Sequence, residues 1–297
     1  MTGLTTPRTR APLTAVPERA IASLSVQHVL GGYREYAPPP PLAHFSEAVW
    51  VYQTPRDVAL GGATHRVLPD PALSVAFCCS REPGGGVVGP RLLLVGPKTR
   101  PHLCTFERGY EMAAVRVKLE WVAAVLGLVP TDHHDALDDL SLISPRAAGW
   151  LLDALVETRT PEQAVTTLAA ALGGLAARAP ARHRPAASQA LDLVRRTSGR
   201  LTVEEVAARM SVSVRHLRRT VQREAGVSLK AYARTLRLLR AVTTADCAPE
   251  PVWARVAADS GFCDQSHLVR ECRALCGMPP SQVYRERRAE AEISNRR

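Results

Sequence analysis

Residues 201–224 read LTVEEVAARMSVSVRHLRRTVQRE, and this stretch decides the fold of the C-terminal part of the chain. Thr202 and Glu205 have the residue types and the spacing of a capping box, which predicts that a helix begins directly after Thr202. A short polar turn, 211–213, follows, and Ser213 can cap a second helix over 214–224. Two short helices joined by such a turn predict a helix-turn-helix unit.

The second helix of this unit combines an apolar face with a basic one. Leu217 and Val221 share the face that points inward. Arginine and glutamine occupy the other faces, and their side chains suit the base edges and phosphates of a DNA major groove. The candidate DNA-binding residues of this unit are Ser213, Arg215, Arg218, Arg219 and Gln222.

The same plan recurs over 252–273. Gly261 can take the left-handed conformation that the turn needs. Leu268 and Cys272 face inward on the second candidate reading helix, 264–273. The candidate DNA-binding residues of this unit are Gln265, Ser266, His267 and Arg270.

The segment 229–246 lies between the two units and predicts one continuous helix. At ~1.5 Å per residue this helix is about 27 Å long. Such a strut could hold the two reading helices about one DNA turn apart, ~34 Å, on one face of the duplex.

The excess positive charge of the chain lies in the same region. Of its 38 basic and 28 acidic residues, 22 and 12 lie from Ala181 onward, so 16 of each precede that residue. A basic domain beside a neutral one predicts a polyanionic partner for the C-terminal part. The alternative is a solvated, arginine-rich surface, and charge alone does not separate the two interpretations.

Three motifs in this region resemble the DNA-binding domain of AraC/XylS-type regulators. They are Arg237-Leu238 in the strut, GFCDQSHL at 261–268 followed by Arg270, and GMPPS at 277–281 before Tyr284-Arg285. The resemblance covers 188–288, which we assign as the DNA-binding domain. It implies that the arginines of the first reading helix, and Gln265, Ser266, His267 and Arg270 of the second, match positions that contact bases and phosphates. The side chain of His267 could equally have a capping or a packing role.

The chain departs from this family at four positions. Ser211 stands where the family usually has glycine, and Val221, Leu268 and Cys272 stand where it usually has aromatic residues. Because these side chains are smaller, we expect the core between the helices to be less completely filled.

The N-terminal half predicts a β-rich domain. We assign 1–41 as a flexible tail and 42–143 as a small β barrel or sandwich, because short Val- and Leu-rich segments alternate with Gly and Pro turns. The segments are 48–53, 73–79, 91–95 and 113–119. This region resembles cupin-like sensory domains at VLPD (67–70) and VGP (95–97), although Pro71-Ala72 replaces the Gly-Cys step of many relatives.

Two helices are expected after this domain, at 145–157 and 161–179. Their apolar faces either pack on the sensory domain or form a dimer interface, so 144–179 is a helical connector or a dimerisation element. A linker, 180–187, and a C-terminal tail, 289–297, complete the organisation. The predicted fold class is therefore α+β, with an all-α double helix-turn-helix domain at the C-terminus.

Other chemistry finds little support in the sequence. No His-x-His pair occurs, the seven cysteines form no CxxC pair, and the glycine run at 84–86 lacks the lysine of a phosphate-binding loop. We therefore predict no metal, no cofactor and no enzyme activity.

No apolar run is long enough to span a bilayer and no signal peptide is recognisable, which indicates a cytoplasmic protein without a membrane partner.

We predict a sequence-specific DNA-binding transcription regulator of bacterial type, with the N-terminal domain as a candidate for effector control. The predicted partner is double-stranded promoter or operator DNA, and RNA polymerase, an effector of unknown identity and a second copy of the chain are further candidates. One alternative is an enzyme or repair protein joined to this DNA-binding domain. A repair protein of that kind needs an N-terminal four-cysteine zinc module, whereas the first cysteine here is Cys78. The other alternative is a nonspecific architectural DNA binder.

Overall fold

The computed structural model describes residues 32–54, 64–82, 84–105, 108–178 and 185–295. Its N-terminal domain is built on antiparallel strands and its C-terminal domain on helices. The strands are β1 (Arg34–Tyr36), β2 (Ser46–Gln53), β3 (Thr64–Val67), β4 (Leu73–Arg81), β5 (Val87–Val95), β6 (His102–Thr105), β7 (Tyr110–Val117) and β8 (Leu137–Asp139).

The strands form two antiparallel sheets. The larger has the order β1-β2-β7-β4-β5-β8, and the smaller is the two-stranded ribbon β3-β6. Val115 of β7 is paired with Val49 of β2 on one side and with Val75 of β4 on the other, so β7 is a central strand. This central position explains why its sequence is nearly continuous in apolar residues.

Both faces of the larger sheet are buried along its central strands, and alternate side chains belong to different clusters. Val49 and Val51 of β2 lie in the core cluster on the helical side, whereas Trp50 and Tyr52 lie in a separate cluster on the opposite side. Successive side chains of a strand point to opposite faces, so this division follows directly from the period of two.

Helices cover one face of the larger sheet. A 3₁₀ turn, Leu119–Trp121, leads into α1 (Val122–Leu126), and α2 (Leu140–Ile143), α3 (Pro145–Val156) and α4 (Pro161–Ala176) follow. Leu151 and Leu155 of α3 and Leu168 of α4 are buried in the cluster they share with the sheet. These faces therefore pack on the N-terminal domain, while Trp150 of α3 is 63% exposed.

The C-terminal domain is helical throughout its described residues. Its helices are α5 (Ser188–Arg196), α6 (Val203–Arg209), α7 (Val214–Ala225), α8 (Leu229–Asp246), α9 (Trp253–Asp259), α10 (Gln265–Cys276) and α11 (Pro280–Asn295). The strut α8 begins and ends where the sequence predicts. An antiparallel sheet followed by an all-helical domain confirms the expected α+β class.

The two domains share buried contacts. Arg195 of α5 forms ion pairs with Glu120 of the 3₁₀ turn and Glu47 of β2, each at 2.7 Å. Leu68, which follows β3, is buried in one cluster with Leu239 and Val242 of α8. The helical domain is therefore packed against the sheet domain through both charged and apolar side chains.

Several predicted boundaries differ from the structure. The tail predicted over 1–41 is wrong at its end, because β1 pairs with β2 and makes Arg34–Tyr36 an edge strand of the sheet. The C-terminal tail predicted from 289 is also wrong, since α11 continues to Asn295. Residues 1–31, and most of the predicted linker, lie outside the described residues.

Candidate nucleic-acid interface

The first helix-turn-helix unit consists of α6, a short turn and α7. The backbone nitrogen of Glu205 donates to Thr202 Oγ1 at 3.1 Å, and that of Thr202 donates to Glu205 Oε2 at 2.8 Å. The predicted capping box is therefore formed. Ser213 Oγ accepts from the His216 backbone nitrogen at 3.2 Å, so this candidate residue also caps α7.

The outer face of α7 carries the first set of candidate residues. Leu217 and Val221 are buried, whereas Arg215, Arg218, Arg219 and Gln222 are exposed. Arg218 Nη2 lies 3.4 Å from Glu204 Oε1, and both side chains are more than half exposed, so water and ions screen this pair. Phosphate can therefore replace the carboxylate at little cost.

Gln222 has a local role as well. Its Nε2 donates to the Gly226 carbonyl at 3.0 Å, at the point where α7 ends. This bond uses one of the two N–H donors of the amide and holds the side chain at the end of α7. Among the candidates on α7, Gln222 is thus less available than the three arginines.

The second unit repeats the first with one additional residue in its turn. Gly261 has a φ of +80°, and the Phe262 backbone nitrogen donates to the Ala257 carbonyl at 2.9 Å. Ser211 occupies the equivalent position of the first turn with a φ of +54°. In the second turn Asp264 replaces serine as the cap, and its Oδ1 accepts from the His267 backbone nitrogen at 2.6 Å.

The outer face of α10 carries the second set of candidates. Gln265, Ser266 and Arg270 are exposed, as Arg215, Arg218 and Arg219 of α7 are. The His267 ring is half-buried and packs edge-on against Phe262, with centroids 5.4 Å apart. The packing interpretation of His267 therefore has direct structural support.

The strut α8 connects the two reading helices through ion pairs as well as apolar contacts. Arg234 of α8 donates to Glu271 of α10 at 2.6 and 3.1 Å. Although burial opposes ionisation of Glu271, the hydrogen bond and charge of Arg234 lower its pKa. Arg237 Nη1 donates to the Gly199 carbonyl at 2.8 Å, before α6, and its guanidinium lies 5.9 Å from the Phe262 ring centroid. These contacts fix the two units relative to each other.

One cation of this surface, Lys230, is missing from the candidate DNA-binding residues chosen from the sequence. A groove beside α7 is lined by Arg215, Arg218, Arg219 and Lys230, which is the lysine in the first turn of α8. Ser228 caps α8 there, so the backbone N–H groups of its first turn lie beside the same groove. The signal in the sequence is Ser228 directly before the strut, with Lys230 two residues later.

A separate cavity of about 150 Å³ lies between the larger sheet and the ribbon β3-β6. Tyr33, Trp50 and Leu93 contribute to its apolar wall, and Lys98, Arg116 and Asp70 contribute charge. Arg116 pairs with Asp70 at 3.2 Å and with Glu35 at 3.3 Å. Burial raises the pKa of Asp70, although Arg116 opposes this shift. Sequence reasoning did not find this cavity, because it depends on how β3 and β6 pair.

The described part of the chain contains no group of three or more His, Cys, Asp or Glu residues that could hold a metal ion. All seven cysteines are free. Cys272 and Cys276 are both buried on the inner side of α10, and the hydrogen bond from Cys272, together with burial, raises the pKa of Cys276. No described helix is long and apolar enough to cross a membrane.

The core around the small residues of the second unit contains a small cavity. Leu268 and Cys272 are fully buried, and a cavity of about 10 Å³ lies beside them, lined in part by Ala241 and Ala245. That volume is about one water-sized sphere.

Comparison with known proteins assigns the two domains separately. Residues 206–287 match the family described as a helix-turn-helix domain, and residues 34–136 match a domain of unknown function, DUF6597. No curated protein matches the chain.

Three solved structures illustrate the similarity. The C-terminal domain of AraT, a response regulator from Geobacillus stearothermophilus, is 23% identical over 35% of this chain and 88% of its own, with a TM-score of 0.32. A DNA-binding transcriptional dual regulator from Escherichia coli K-12 is 18% identical over 38% and 99%, with a TM-score of 0.31. ToxT from Vibrio cholerae is 11% identical over 80% and 97%, with a TM-score of 0.43.

Two capped helix-turn-helix units, each with an exposed second helix, define a DNA-binding domain of a transcription regulator. This domain is a helix-turn-helix domain.

Proposed function

We propose that this chain is a transcription regulator that recognises a specific duplex site with both helix-turn-helix units at once. The observation that carries the proposal is the pair of reading helices, α7 and α10, held by one strut with their arginines exposed. A single unit reads only a few base pairs, whereas two units one DNA turn apart read a composite site. The site lies in promoter or operator DNA, so the protein acts in the cytoplasm.

The candidate residues divide into two roles in this proposal. Arg215, Arg218 and Arg219 on α7, with Arg270 on α10, contact guanine edges and phosphates, because a guanidinium can donate to either in a bidentate way. Gln265 and Ser266 reach bases at the start of α10. Lys230 and the first turn of α8 hold a phosphate at the edge of the site.

The N-terminal domain makes the regulator effector-responsive. Two observations support this part of the proposal: the cavity beside Trp50, and the contacts of that domain with the DNA-binding helices through Arg195 and Leu68. A ligand with different affinity for two arrangements of these contacts shifts DNA binding. RNA polymerase and a second copy of the chain stay predicted partners.

Selection of bound duplexes from a random pool, with the full-length protein, tests the proposal. We expect one enriched composite motif, and loss of about 1–3 kcal/mol of binding free energy to it in Arg218→Ala or Arg270→Ala. Arg255→Ala is the matched control, because Arg255 is 83% exposed but lies on α9, the first helix of its unit. Uniform affinity for unrelated sequences, or specific binding that survives both substitutions, would overturn the proposal.

A further inference from the structure

The cavity between the larger sheet and the β3-β6 ribbon has an unequal charge balance. Two cations, Lys98 and Arg116, and one carboxylate, Asp70, reach it. Arg116 forms ion pairs with Asp70 and Glu35, so carboxylates already compensate its charge. Lys98 is the other cation in the described wall, and its partner is of a different kind.

Lys98 is buried, with 8% of its surface exposed. Its Nζ donates to the Ala136 carbonyl at 2.8 Å, and no carboxylate oxygen of the described residues forms an ion pair with it within 4.0 Å. Asp135 acts on it from further away and is itself held by the Thr99 backbone nitrogen at 2.7 Å. A buried ammonium without a contacting anion is costly, and it favours the arrival of one.

Trp50 adds a second unsatisfied donor to the same cavity. Its indole Nε1 is buried and has no acceptor among the described residues, and its ring lies 5.6 Å from that of Tyr33. Buried indole N–H groups usually have an acceptor. The wall thus offers an aromatic surface, a free N–H donor and an ammonium.

The volume limits the ligand to a small one. An apolar protein cavity of about 150 Å³ accommodates benzene. The cavity here has about the same volume. One ring with a short acidic group matches both the size and the charge of this space.

We propose that the cavity binds a small organic anion that carries a single ring, with Lys98 as its counter-ion and the Trp50–Tyr33 pair as its apolar wall. This inference rests on the proposed function, because it names the class of effector that the N-terminal domain senses. The ligand's acidic oxygen takes the Nζ hydrogen bonds of Lys98, and its ring occupies the space beside Trp50.

The position of Lys98 also connects this ligand to the first reading helix. Ala136, the present acceptor of Nζ, belongs to the segment 130–139, and Leu137 of that segment lines the cavity. The other end of the segment touches Gly226, at the end of α7: a β-carbon added there would lie 2.9 Å from the Thr131 backbone nitrogen. An anion that draws Nζ away from Ala136 therefore acts on the segment that supports α7.

Calorimetric titration of the full-length protein tests the proposal with phenylacetate and cyclohexanecarboxylate, and with their neutral amides as matched controls. We expect at least one acid to bind about tenfold or more tightly than its amide, since a charge-assisted hydrogen bond contributes that much. Lys98→Met should remove the preference for the acid and leave amide binding unchanged. Lys98→Arg keeps the charge and should retain the preference.

Lys118→Met is the matched control within the protein. The Lys118 Nζ also donates to a backbone carbonyl, that of Ala43 at 3.0 Å, but it lines a different cavity, of about 470 Å³, between the domains. Acid binding that survives Lys98→Met and is lost in Lys118→Met would place the ligand there and overturn the proposal. Equal binding of acids and amides to the wild-type protein, or no binding of either acid, would overturn it without any variant.

DNA binding of the same preparation separates this inference from the proposed function. If the protein binds its selected duplex and no acid, the effector class is wrong and the regulator proposal stands. If no specific duplex is found, the regulator proposal fails whatever the titration shows. Saturating acid should change the duplex affinity of the wild-type protein and leave that of Lys98→Met unchanged.

Discussion

Ser211 and Gly261 show how the residue type at one position decides whether a turn is strained. Both have a positive φ, +54° and +80°, at the equivalent position of the two helix-turn-helix units. Only glycine takes this conformation without a steric cost from the β-carbon. The first turn therefore carries local strain that the second turn does not.

The substitution Ser211→Gly tests this difference. We expect it to raise the free energy of unfolding by roughly 0.5 kcal/mol, since relief of the strain exceeds the extra entropy of the unfolded chain. The converse substitution, Gly261→Ser, should lower it by about 1 kcal/mol or more. A β-carbon there would lie 2.7 Å from Arg200 Cγ. Chemical denaturation measures both, and a destabilised Ser211→Gly protein would contradict the account.

Elements with strong local signals could be predicted from the sequence, and elements that depend on distant partners could not. The bounds of α8, Leu229–Asp246, agree with the prediction because Ser228 caps the helix and a long apolar face follows. Ser213 likewise fixed the start of α7. The strand β1 has three residues and exists through its pairing with β2, so its own sequence carries little pattern.

The same reason explains what was missed at the candidate sites. The exposed arginines of α7 follow from helical spacing alone, and the structure places them together. The cavity needs the pairing of β3 with β6, in which Arg66 lies opposite Leu103. No local pattern encodes such a pairing, and Lys98 therefore gave no signal.

The capping box of α6 predicts a pH dependence of stability. The backbone N–H of Thr202, followed by its hydroxyl, donates to Glu205 and lowers the pKa of that carboxyl below its ordinary value of 4.5. A carboxyl group whose pKa is lower in the folded protein than in the unfolded chain stabilises the folded protein fully at pH values above the unfolded-state pKa. This stabilisation is lost as the pH falls through the folded-state pKa.

Unfolding of wild-type and Glu205→Gln proteins measures this dependence. We expect the wild-type protein to be more stable at neutral pH, and the difference to shrink as the pH falls below 4.5. A difference that stays constant across this range would show that the charge of Glu205 has no part in the cap.

At the scale of the whole molecule, the domain interface is held by a buried ion-pair network around Arg195. Its Nη2 lies 2.7 Å from Glu120, whose side chain is fully buried, and its Nε lies 2.7 Å from Glu47. Tyr232 of α8 accepts from Arg195 Nε at 2.8 Å. The network therefore joins the sheet domain, α5 and the strut.

A double-mutant cycle tests the strength of this connection. Arg195→Met should destabilise the protein by about 3 kcal/mol, because it leaves the Glu120 carboxylate buried without its partner. Adding Glu120→Gln should recover part of that loss, so the two changes are not additive. Arg223→Met is the control, since Arg223 is 64% exposed and its pair with Glu224 contributes little. Additive effects would mean that the two residues act separately.

The measurement that tests the central claim most directly is the affinity of the full-length protein for its selected duplex when base pairs are inserted between the two half-sites. Because α8 fixes both reading helices at one spacing, we expect specific binding to be lost with an insertion of about half a DNA turn and also with one of about a full turn. Recovery at the full turn would mean that the units are joined flexibly. Unchanged affinity with both insertions would mean that only one unit reads the site, which contradicts the account.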